Sequence, residues 1–291
     1  MSEGIILKGY SGFYYVQAGE KLWECSLRGR FRLHAQDFLP GDRVKISPLK
    51  GHKGVIEEVL PRTNALVRPP VANVEQVIVV FALVTPQPDR NLLDRILIQA
   101  EAAGVNPVVC FNKADLALPP ETDAAVELYR SIGYEVILVS AKSGQGVEEL
   151  RRVLEGKTSV FAGPSGVGKS SLLNAVHPGL QLKTGEVSAK LRRGRHTTRH
   201  VELIPLDGGG LVADTPGFSS LDLPPMQREE LSRFFPEFLE HAPQCKFSTC
   251  LHRLEPQCAV KAAVELGRID SKRYADYLAF LTEVIEQERR Y

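Results

Sequence analysis

The sequence is poor in cysteine, methionine and tryptophan, and it has no long apolar run. Five cysteines in 291 residues are too few for a scaffold held together by disulfides. The longest apolar run, Val77–Val84, is far shorter than the roughly 20 residues that a membrane-spanning helix needs, and no basic segment followed by an apolar stretch begins the chain. We therefore expect a soluble, unsecreted, cytoplasmic protein with no membrane partner.

The chain also lacks an excess of charge of either sign. With 36 Lys and Arg against 35 Asp and Glu, the formal net charge is +1. This excludes a uniformly basic nucleic-acid coat but leaves room for local basic patches. Hydrophobic residues make up 43% of the chain, which is enough for buried cores and too much for a disordered protein. At the usual ~100 to 200 residues per domain, the length predicts two domains or three small ones.

Residues 1–66 consist of short β-rich runs separated by glycines. The runs have no helical period and are predicted to be strands: Gly12–Ala18, Lys21–Leu27, Arg43–Ser47 and Gly54–Leu60. Several short strands at close spacing indicate a small all-β barrel. Ten Lys and Arg against seven Asp and Glu make it mildly basic. On that observation alone, a nucleic-acid-binding face and an ordinary solvated surface are equally supported.

From residue 67 to residue 222 the pattern changes to strands that alternate with amphipathic helices, which predicts an α/β domain built on a parallel sheet. The predicted strands are Val77–Val84, Pro107–Phe111, Glu135–Val139, Ser159–Ala162 and a hairpin of Val201–Leu206 with Leu211–Ala213. Residues 223–291 are predicted to form a third, α-helical domain. One face of its last helix, which we interpret as core or domain packing, contains Tyr274, Tyr277, Leu278, Leu281, Val284 and Ile285.

The strongest chemical signal is the segment Gly163-Pro164-Ser165-Gly166-Val167-Gly168-Lys169-Ser170, which fits the pattern G-x-x-x-x-G-K-[ST]. It lies between the predicted strand Ser159–Ala162 and a helix that begins near Ser171. The glycines let backbone N–H groups converge on phosphate oxygens, Lys169 adds a positive charge at the β- and γ-phosphates, and Ser170 offers a hydroxyl to Mg²⁺. We predict that residues 163–171 bind the phosphates of a nucleotide.

Two further segments follow predicted parallel strands and point to guanine. Asn112-Lys113-Ala114-Asp115 lies at the edge of the sheet where α/β proteins bind ligands. Guanine presents N1–H and N2–H₂ donors along one edge, and the carboxylate of Asp115 can accept from both, whereas adenine cannot satisfy it. Ser140-Ala141-Lys142 lies where a backbone amide would meet the guanine carbonyl. Each segment is a weak signal alone, but together with the phosphate loop they predict a GTP site.

Two more segments have the composition of GTPase parts that respond to the γ-phosphate. In Asp214-Thr215-Pro216-Gly217 the carboxylate can hold Mg²⁺ through water, and the N–H of Gly217 can reach the γ-phosphate. In Gly194-Arg195-His196-Thr197-Thr198, Thr197 or Thr198 can ligate Mg²⁺ only while the γ-phosphate is present. Taken alone, a loop this basic is equally well explained as a mobile solvated segment. The predicted Mg²⁺ ligands are Ser170, Thr198 and Asp214, and the predicted catalytic set is Lys169, Thr198, Asp214 and Gly217.

These segments occur in an order that an ordinary GTPase does not have. An ordinary GTPase runs from the phosphate loop through the switch threonine and D-x-x-G to N-K-x-D and S-A-K, whereas here the last two come first. We interpret this as a circular permutation, which is physically allowed because domain termini commonly lie close together on the surface. Residues 218–225 then lead directly into the C-terminal domain. We therefore expect GTP hydrolysis to reorient that domain through this connection.

The C-terminal domain contains the pattern Cys245-x4-Cys250-x-His252-x5-Cys258. Three thiolates and one imidazole are a complete tetrahedral ligand set for zinc, and with no open position such a site is structural rather than catalytic. The alternative, three buried small hydrophobes and an unrelated histidine, does not explain the clustering. We predict one structural Zn²⁺ here and interpret Cys25 and Cys110 as interior residues of strands.

Together, the permuted motifs and the cysteine spacing resemble a family of bacterial proteins, the ribosome small subunit-dependent GTPase A family. The resemblance covers essentially the whole chain. It implies an N-terminal OB-fold barrel, a circularly permuted P-loop GTPase domain and a C-terminal zinc domain. It also implies a GTP-hydrolysing maturation factor that binds the 30S ribosomal subunit and its 16S rRNA, is stimulated by the subunit, and uses GTP or GDP with Mg²⁺. We expect a monomer that does not bind DNA.

The sequence departs from the expected pattern at the catalytic group. Phe218 follows the D-x-x-G glycine, where many translational GTPases place a Gln or His that orients the attacking water. No histidine occurs between Phe218 and Glu240, where some members of the family are thought to use one. His196 is our candidate, and a group supplied by the ribosome is the alternative. Two other functions stay open: a permuted GTPase of the large subunit, or a nucleotide-regulated RNA-binding module with little turnover.

Overall fold

The first five strands close into a barrel. The computed structural model describes residues 1–29, 38–67, 69–116, 120–180, 182, 201–213 and 222–289. The barrel strands are β1 (Ser2–Tyr10), β2 (Phe13–Ala18), β3 (Lys21–Leu27), β4 (Arg43–Pro48) and β5 (Lys53–Val59). They pair in the order β1-β2-β3-β5-β4, with β1 returning to β4 and β3 parallel to β5. This arrangement is a five-stranded OB-fold and confirms the predicted barrel.

The strand β1 is missing from the sequence-based prediction, which begins at Gly12. A register shift between Ile6 and Lys8 lets the consecutive side chains of Ile6 and Leu7 both point into cores. Ile6 is fully buried inside the barrel, whereas Leu7 packs into the core of the central sheet. Because both faces of β1 are covered at this point, the strand lacks the alternation of polar and apolar residues that marks a half-buried strand.

A half-buried ion pair and a short hairpin join the barrel to the central sheet. The carboxylate of Asp42 is fully buried and accepts hydrogen bonds from Nε and Nη2 of Arg62 at 2.6 and 2.9 Å. The hairpin consists of β6 (Ala65–Val67) and β7 (Pro70–Ala72). A Cβ on Gly41, whose φ is +92°, would lie 2.0 Å from the carbonyl oxygen of Ala72. Only glycine therefore allows the barrel to approach this hairpin so closely.

A six-stranded sheet with the order β10-β9-β8-β11-β13-β12 forms the centre of the protein. Its strands are β8 (Gln76–Ala82), β9 (Asn106–Asn112), β10 (Glu135–Val139), β11 (Thr158–Ala162), β12 (Leu203–Pro205) and β13 (Leu211–Ala213). Only β12 pairs antiparallel, with β13. The helices are α1 (Arg90–Ala102), α2 (Pro120–Ser131), α3 (Val147–Leu154) and α4 (Lys169–Val176). The predicted α/β architecture and its hairpin are confirmed.

The middle strands of this sheet are apolar on both faces because helices cover both sides. In β8, Val77, Val79 and Phe81 face a core shared with α1 and α2, whereas the alternate residues face a core shared with α3 and α4. Asp89 caps α1 by accepting a hydrogen bond from the N–H of Leu92 at 3.1 Å. Cys25 and Cys110 are fully buried in strands, as predicted.

Residues 222–289, the tail region, are helical. They contain α5 (Pro236–Leu239), α6 (Ala259–Glu265), α7 (Ser271–Glu288) and two short 3₁₀ turns at 231–234 and 242–244. The apolar stripe of α7 packs into the core of this region, and Ile98 of α1 belongs to the same core. No helix in the described part of the chain is long and apolar enough to cross a membrane. The domain boundaries at residues 66/67 and 222/223 stay predictions.

Candidate functional site

The phosphate-loop segment connects β11 to α4, as its sequence predicts. Gly163, Gly166 and Gly168 all have positive φ angles, of +128°, +82° and +96°. A Cβ on Gly163 would lie 2.1 Å from the carbonyl oxygen of Val80, and a Cβ on Gly168 would lie 2.4 Å from Nδ2 of Asn112. Two of the three glycines are therefore required by close packing against the neighbouring strands as well as by their backbone conformation.

The ammonium group of Lys169 lies inside the curled loop. Its Nζ donates hydrogen bonds to the carbonyl oxygens of Gly163 and Pro164, both at 2.7 Å. Val167 is fully buried, which anchors the middle of the loop, and Ser165 is exposed. Ser170 and Ser171 are half-buried in the first turn of α4. The segment thus forms a cradle of backbone around one positive charge at the start of a helix, which is a geometry that suits phosphate.

Asn112 joins the phosphate loop to both predicted guanine segments. Its side chain is 2% exposed. The amide Nδ2 donates to the carbonyl oxygen of Val167 at 2.8 Å, and Oδ1 accepts from the N–H of Ala141 at 3.2 Å. Three segments that the sequence suggests separately are therefore brought together by one side chain.

Asp115 and Ser140 form a second link between the guanine segments. The hydroxyl of Ser140 donates to Oδ1 of Asp115 at 2.6 Å and accepts from the N–H of Ser143 at 3.1 Å. This hydrogen bond lowers the pKa of the exposed Asp115 carboxyl below its ordinary value. The carboxylate stays ionised at neutral pH and is open to solvent, so it can accept hydrogen bonds from a ligand. Lys142 is exposed beside it, and Ala114 is held by a hydrogen bond from its N–H to the carbonyl oxygen of Val139 at 3.1 Å.

Lys113 makes a contact that the sequence does not reveal. Its Nζ donates to the carbonyl oxygen of Gly166 in the phosphate loop, at 3.0 Å, and to the carbonyl oxygen of Thr85. Thr85 lies in the connection from β8 to α1, which carries no nucleotide-binding motif. This connection is therefore a wall of the candidate site. The sequence does not reveal this contact of Lys113, because every residue type has a backbone carbonyl that could accept the hydrogen bond.

The remaining predicted nucleotide-site residues lie outside the described residues. They are His196, Thr197, Thr198, Asp214 and Gly217, and Phe218 also lies outside the described residues. β13, which directly precedes Asp214, pairs in parallel with β11, the strand that leads into the phosphate loop.

The predicted metal ligands Cys245, Cys250, His252 and Cys258 form one cluster, in which all four ligand atoms lie within 4.8 Å of one another. His252 Nδ1 lies 3.4 Å from Sγ of Cys258 and 3.6 Å from Sγ of Cys245, and these two sulfur atoms are 3.8 Å apart. Ligand bonds of about 2.0 to 2.3 Å in a tetrahedron place ligand atoms about 3.5 Å apart, so the cluster fits a four-coordinate metal ion. None of the five cysteines, all of which are described, forms a disulfide.

The surroundings of the cluster fix its loop in place. The carboxylate of Glu255 accepts hydrogen bonds from the N–H groups of Leu251, Arg253 and Leu254, at 2.9 to 3.0 Å. From α7, the hydroxyls of Tyr274 and Tyr277 donate to the carbonyl oxygens of His252 and Leu251 at 2.7 and 2.8 Å. The cluster is therefore attached to the longest helix of the tail region.

A parallel sheet with a phosphate loop after β11 and guanine-type segments after β9 and β10 defines a P-loop GTPase whose chain order is circularly permuted. Models of two family regions match the chain: "RsgA GTPase" over residues 59–224 and "RsgA N-terminal domain" over residues 3–56. The chain belongs to the RsgA GTPase family.

Individual relatives match over nearly the full length. A curated protein of Moorella thermoacetica, the small ribosomal subunit biogenesis GTPase RsgA, is 56% identical over 99% of both chains. The protein of the same name from Caldanaerobacter subterraneus is 49% identical over 99% of this chain and 97% of its own. Among solved structures, YjeQ from Thermotoga maritima has a TM-score of 0.84 at 40% identity, covering 98% of each chain. YloQ, described as a circularly permuted GTPase, has a TM-score of 0.84 at 43% identity, covering 100% and 97%.

The role of Asn112 in joining the loops can be measured without nucleotide. We expect Asn112→Ala to lower the free energy of unfolding by about 1 to 3 kcal/mol, because it leaves a buried carbonyl and a half-buried N–H without this partner. Urea unfolding of the nucleotide-free protein measures this. Asn106→Ala, at an exposed position on the same strand, is the matched control and should change stability little. Equal effects of the two substitutions would contradict the joining role.

Proposed function

We propose that the protein is a GTP hydrolase that acts in the maturation of the small (30S) ribosomal subunit. The observation that carries the proposal is the convergence of the phosphate loop and two guanine-type segments on Asn112. It occurs in a chain that is 56% identical, over 99% of its length, to a protein named as a small ribosomal subunit biogenesis GTPase.

In this proposal Asp115 selects guanine. Its ionised carboxylate accepts from the N1–H and N2–H₂ groups of the base, and residues 112–115 and 140–142 form the base-binding side of the site. Adenine offers no such pair of donors on that edge. The hydrogen bond from Ser140 supports this role, because it keeps Asp115 ionised and fixes one of its oxygens.

Residues 163–171 bind the phosphates. Lys169 exchanges its two carbonyl acceptors for oxygens of the β- and γ-phosphates, which needs little movement of the loop. The ligands of Mg²⁺ are Ser170, Asp214 and either Thr198 or Thr197. When bound, the ion neutralises charge on the phosphates. The N–H of Gly217 contacts the γ-phosphate.

The group that orients the attacking water is His196 or a group supplied by the subunit. Phe218 occupies the position where other translational GTPases carry a Gln or His, and its side chain can neither donate nor accept a proton. The unassisted rate of hydrolysis should therefore be low, and binding of the subunit should raise it.

The cluster of Cys245, Cys250, His252 and Cys258 holds one structural Zn²⁺. The donor set is complete for a four-coordinate ion, so no position is left for a substrate. The hydrogen bonds from Tyr274 and Tyr277 support a structural role, because they connect the ligand loop to α7.

The subunit is recognised through its 16S rRNA by the barrel and the tail region. Tyr10 and Phe13, at the tip of the first barrel hairpin, are 61% and 45% exposed, and Lys53 is exposed at the start of β5, which pairs with β3. Exposed aromatic rings and a lysine on one barrel suit unpaired bases and their phosphates. The protein acts as a cytoplasmic monomer.

Nucleotide selection gives a sharp test. In Asp115→Asn, one acceptor oxygen becomes an N–H₂ donor that matches the C2 carbonyl of xanthine. We expect the affinity for GDP to fall by about 10- to 100-fold, since a hydrogen bond to a charged group is lost, and the affinity for xanthosine diphosphate to rise. Equilibrium titration with fluorescent nucleotides measures both. Asp123→Asn, on the exposed surface of α2, is the control. If Asp115→Asn kept the preference for guanine over xanthine, Asp115 would not be the residue that recognises the base.

Metal content tests the tail cluster. We expect one zinc ion per chain by native mass spectrometry, and none in Cys250→Ser. Removing zinc with a chelator should lower the melting temperature, because the binding free energy of a structural metal contributes to folding. Cys25→Ala is the control and should retain zinc, since Cys25 lies in the barrel core. A metal-free protein with an unchanged melting temperature would contradict the structural role.

The proposed partner is tested by GTP turnover. Hydrolysis is measured with the protein alone and with 30S subunits, 50S subunits or free RNA, at one moderate salt concentration because phosphate contacts depend strongly on salt. We expect stimulation by 30S subunits only. Stimulation by 50S subunits would favour the large-subunit alternative, and tight GTP binding without turnover beyond one GTP per protein would favour the RNA-binding module.

A further inference from the structure

One face of α1 is covered by α7 of the tail region through a series of polar pairs. Moving along α1, Arg90 pairs with Asp270 at 2.6 Å, Asn91 with Asp276 at 2.7 Å, and Arg95 with both carboxylate oxygens of Glu283 at 2.8 and 2.9 Å. Positions 90, 91, 94, 95 and 98 share one side of a helix. The last of them, Ile98, is 1% exposed and lies in the tail core.

Arg273 lies at the centre of this contact and is 1% exposed. Its guanidinium donates to Asp94 of α1 at 2.5 Å and to both oxygens of Glu237 at 2.5 and 3.2 Å. The hydroxyl of Tyr129, from α2, donates to the same oxygen of Asp94 at 2.6 Å. Burial raises the pKa of Asp94 to about 6, and the charge of Arg273 opposes that rise.

A small sliding movement of α7 along α1 is energetically unfavourable. Displacing α7 by a few ångströms would break the bonds of Asp94 and Arg273 while both groups stayed away from water, and an unpaired buried charge is strongly destabilising. The contact is therefore either fully closed or fully open. Opening it would also expose Ile98 and the aromatic rings of Tyr129 and Phe235, which lie 5.5 and 5.0 Å from the guanidinium.

The chain that enters the tail region is attached to the same two helices. Gln99 of α1 donates to the carbonyl oxygen of Asp222 at 2.7 Å, and the N–H of Leu223 donates to Glu283 of α7 at 3.3 Å. Leu223 itself is 3% exposed in the tail core. Residues 222 and 223 thus belong to the docked contact and do not form a free hinge.

The other end of α1 is attached to the candidate nucleotide site. The connection from β8 to α1 begins at Leu83, whose N–H donates to the carbonyl oxygen of Asn112 at 2.9 Å. Within the connection, the carbonyl oxygen of Thr85 accepts from Lys113. α1 is therefore held by the guanine side of the site at its start and by the tail region along its length.

We propose that the tail region and the guanine side of the nucleotide site form one rigid body, joined by α1 and locked by Arg273. This inference rests on the proposed function, because it assumes that the protein passes between GTP-bound and GDP-bound states. Hydrolysis of GTP does not rotate the tail region about residues 222–225, in contrast to the expectation from chain order. The surfaces of the tail region and of the central sheet keep one fixed separation in every nucleotide state.

The test is a distance measurement by electron–electron double resonance on the full-length, zinc-loaded protein. Spin labels are attached at Glu149→Cys on α3 and Glu265→Cys on α6, two exposed positions on opposite sides of the contact. We expect the same single distance distribution with GDP, with a non-hydrolysable GTP analogue, and with 30S subunits added. A shift of the peak beyond its own width between nucleotide states would overturn the proposal.

Substitutions in the contact provide the second arm. Arg273→Met should broaden the distance distribution. Arg95→Met should broaden it less, because the buried pairs of Arg273 stay intact. The second variant decides the question if Arg273→Met does not fold. Arg268→Met, on the exposed surface of the tail region, is the control and should leave it unchanged. An unchanged distribution in folded Arg273→Met, or in Arg95→Met if Arg273→Met does not fold, would also overturn the proposal.

Nucleotide binding is measured in the same samples, so that two failures can be told apart. If guanine nucleotides bind and the wild-type distance moves, the rigid-body inference fails and the proposed function stands. If no guanine nucleotide binds, the proposed function fails, and the comparison of Arg273→Met and Arg95→Met with the wild type still decides whether the docking lock exists.

Discussion

The buried amide of Asn112 connects segments that are far apart in the chain. Its nitrogen and oxygen satisfy a carbonyl of the phosphate loop and an N–H of the segment after β10. The amide is shielded from water, and its two bonds hold the three segments together alongside the Ser140–Asp115 and Lys113–Gly166 hydrogen bonds. The same amide requires glycine at position 168, since any side chain there would collide with it.

This constraint also explains why a permuted chain can form an ordinary nucleotide site. The contacts of Asn112 depend on which strand ends are neighbours in the sheet, and β9, β10 and β11 all end at the same edge. The order in which loops connect the strands does not enter into these contacts. What the permutation changes is the attachment of the tail region, which the chain reaches after β13 but which packs on α1, the helix that follows β8.

Features that depend on neighbouring residues were predictable from the sequence. The phosphate-loop segment and the cluster of Cys245, Cys250, His252 and Cys258 each lie within a short stretch, so that residue type and spacing are sufficient to recognise them. Features that depend on distant residues were not predictable. Asp94 and Arg273 look like surface charges of amphipathic helices, because their burial depends on partners 179 residues apart. β1 was missed for a related reason: its two faces are covered by different parts of the chain.

The pair of Asp94 and Arg273 also bears on how the protein is made. A ribosome adds about 5 to 20 residues per second, so roughly 10 to 40 s separate the synthesis of these two residues. Until α7 is made, Asp94 and Ile98 lie on a helix face that lacks its α7 partners, although the turn Leu231–Phe234 can already contact α1. A chain that ends before α7 therefore keeps an open apolar and charged surface that chaperones and proteases can recognise. Helix α7 thus acts as a check that synthesis has passed Glu283, since Arg273 and Glu283 complete the cover of α1.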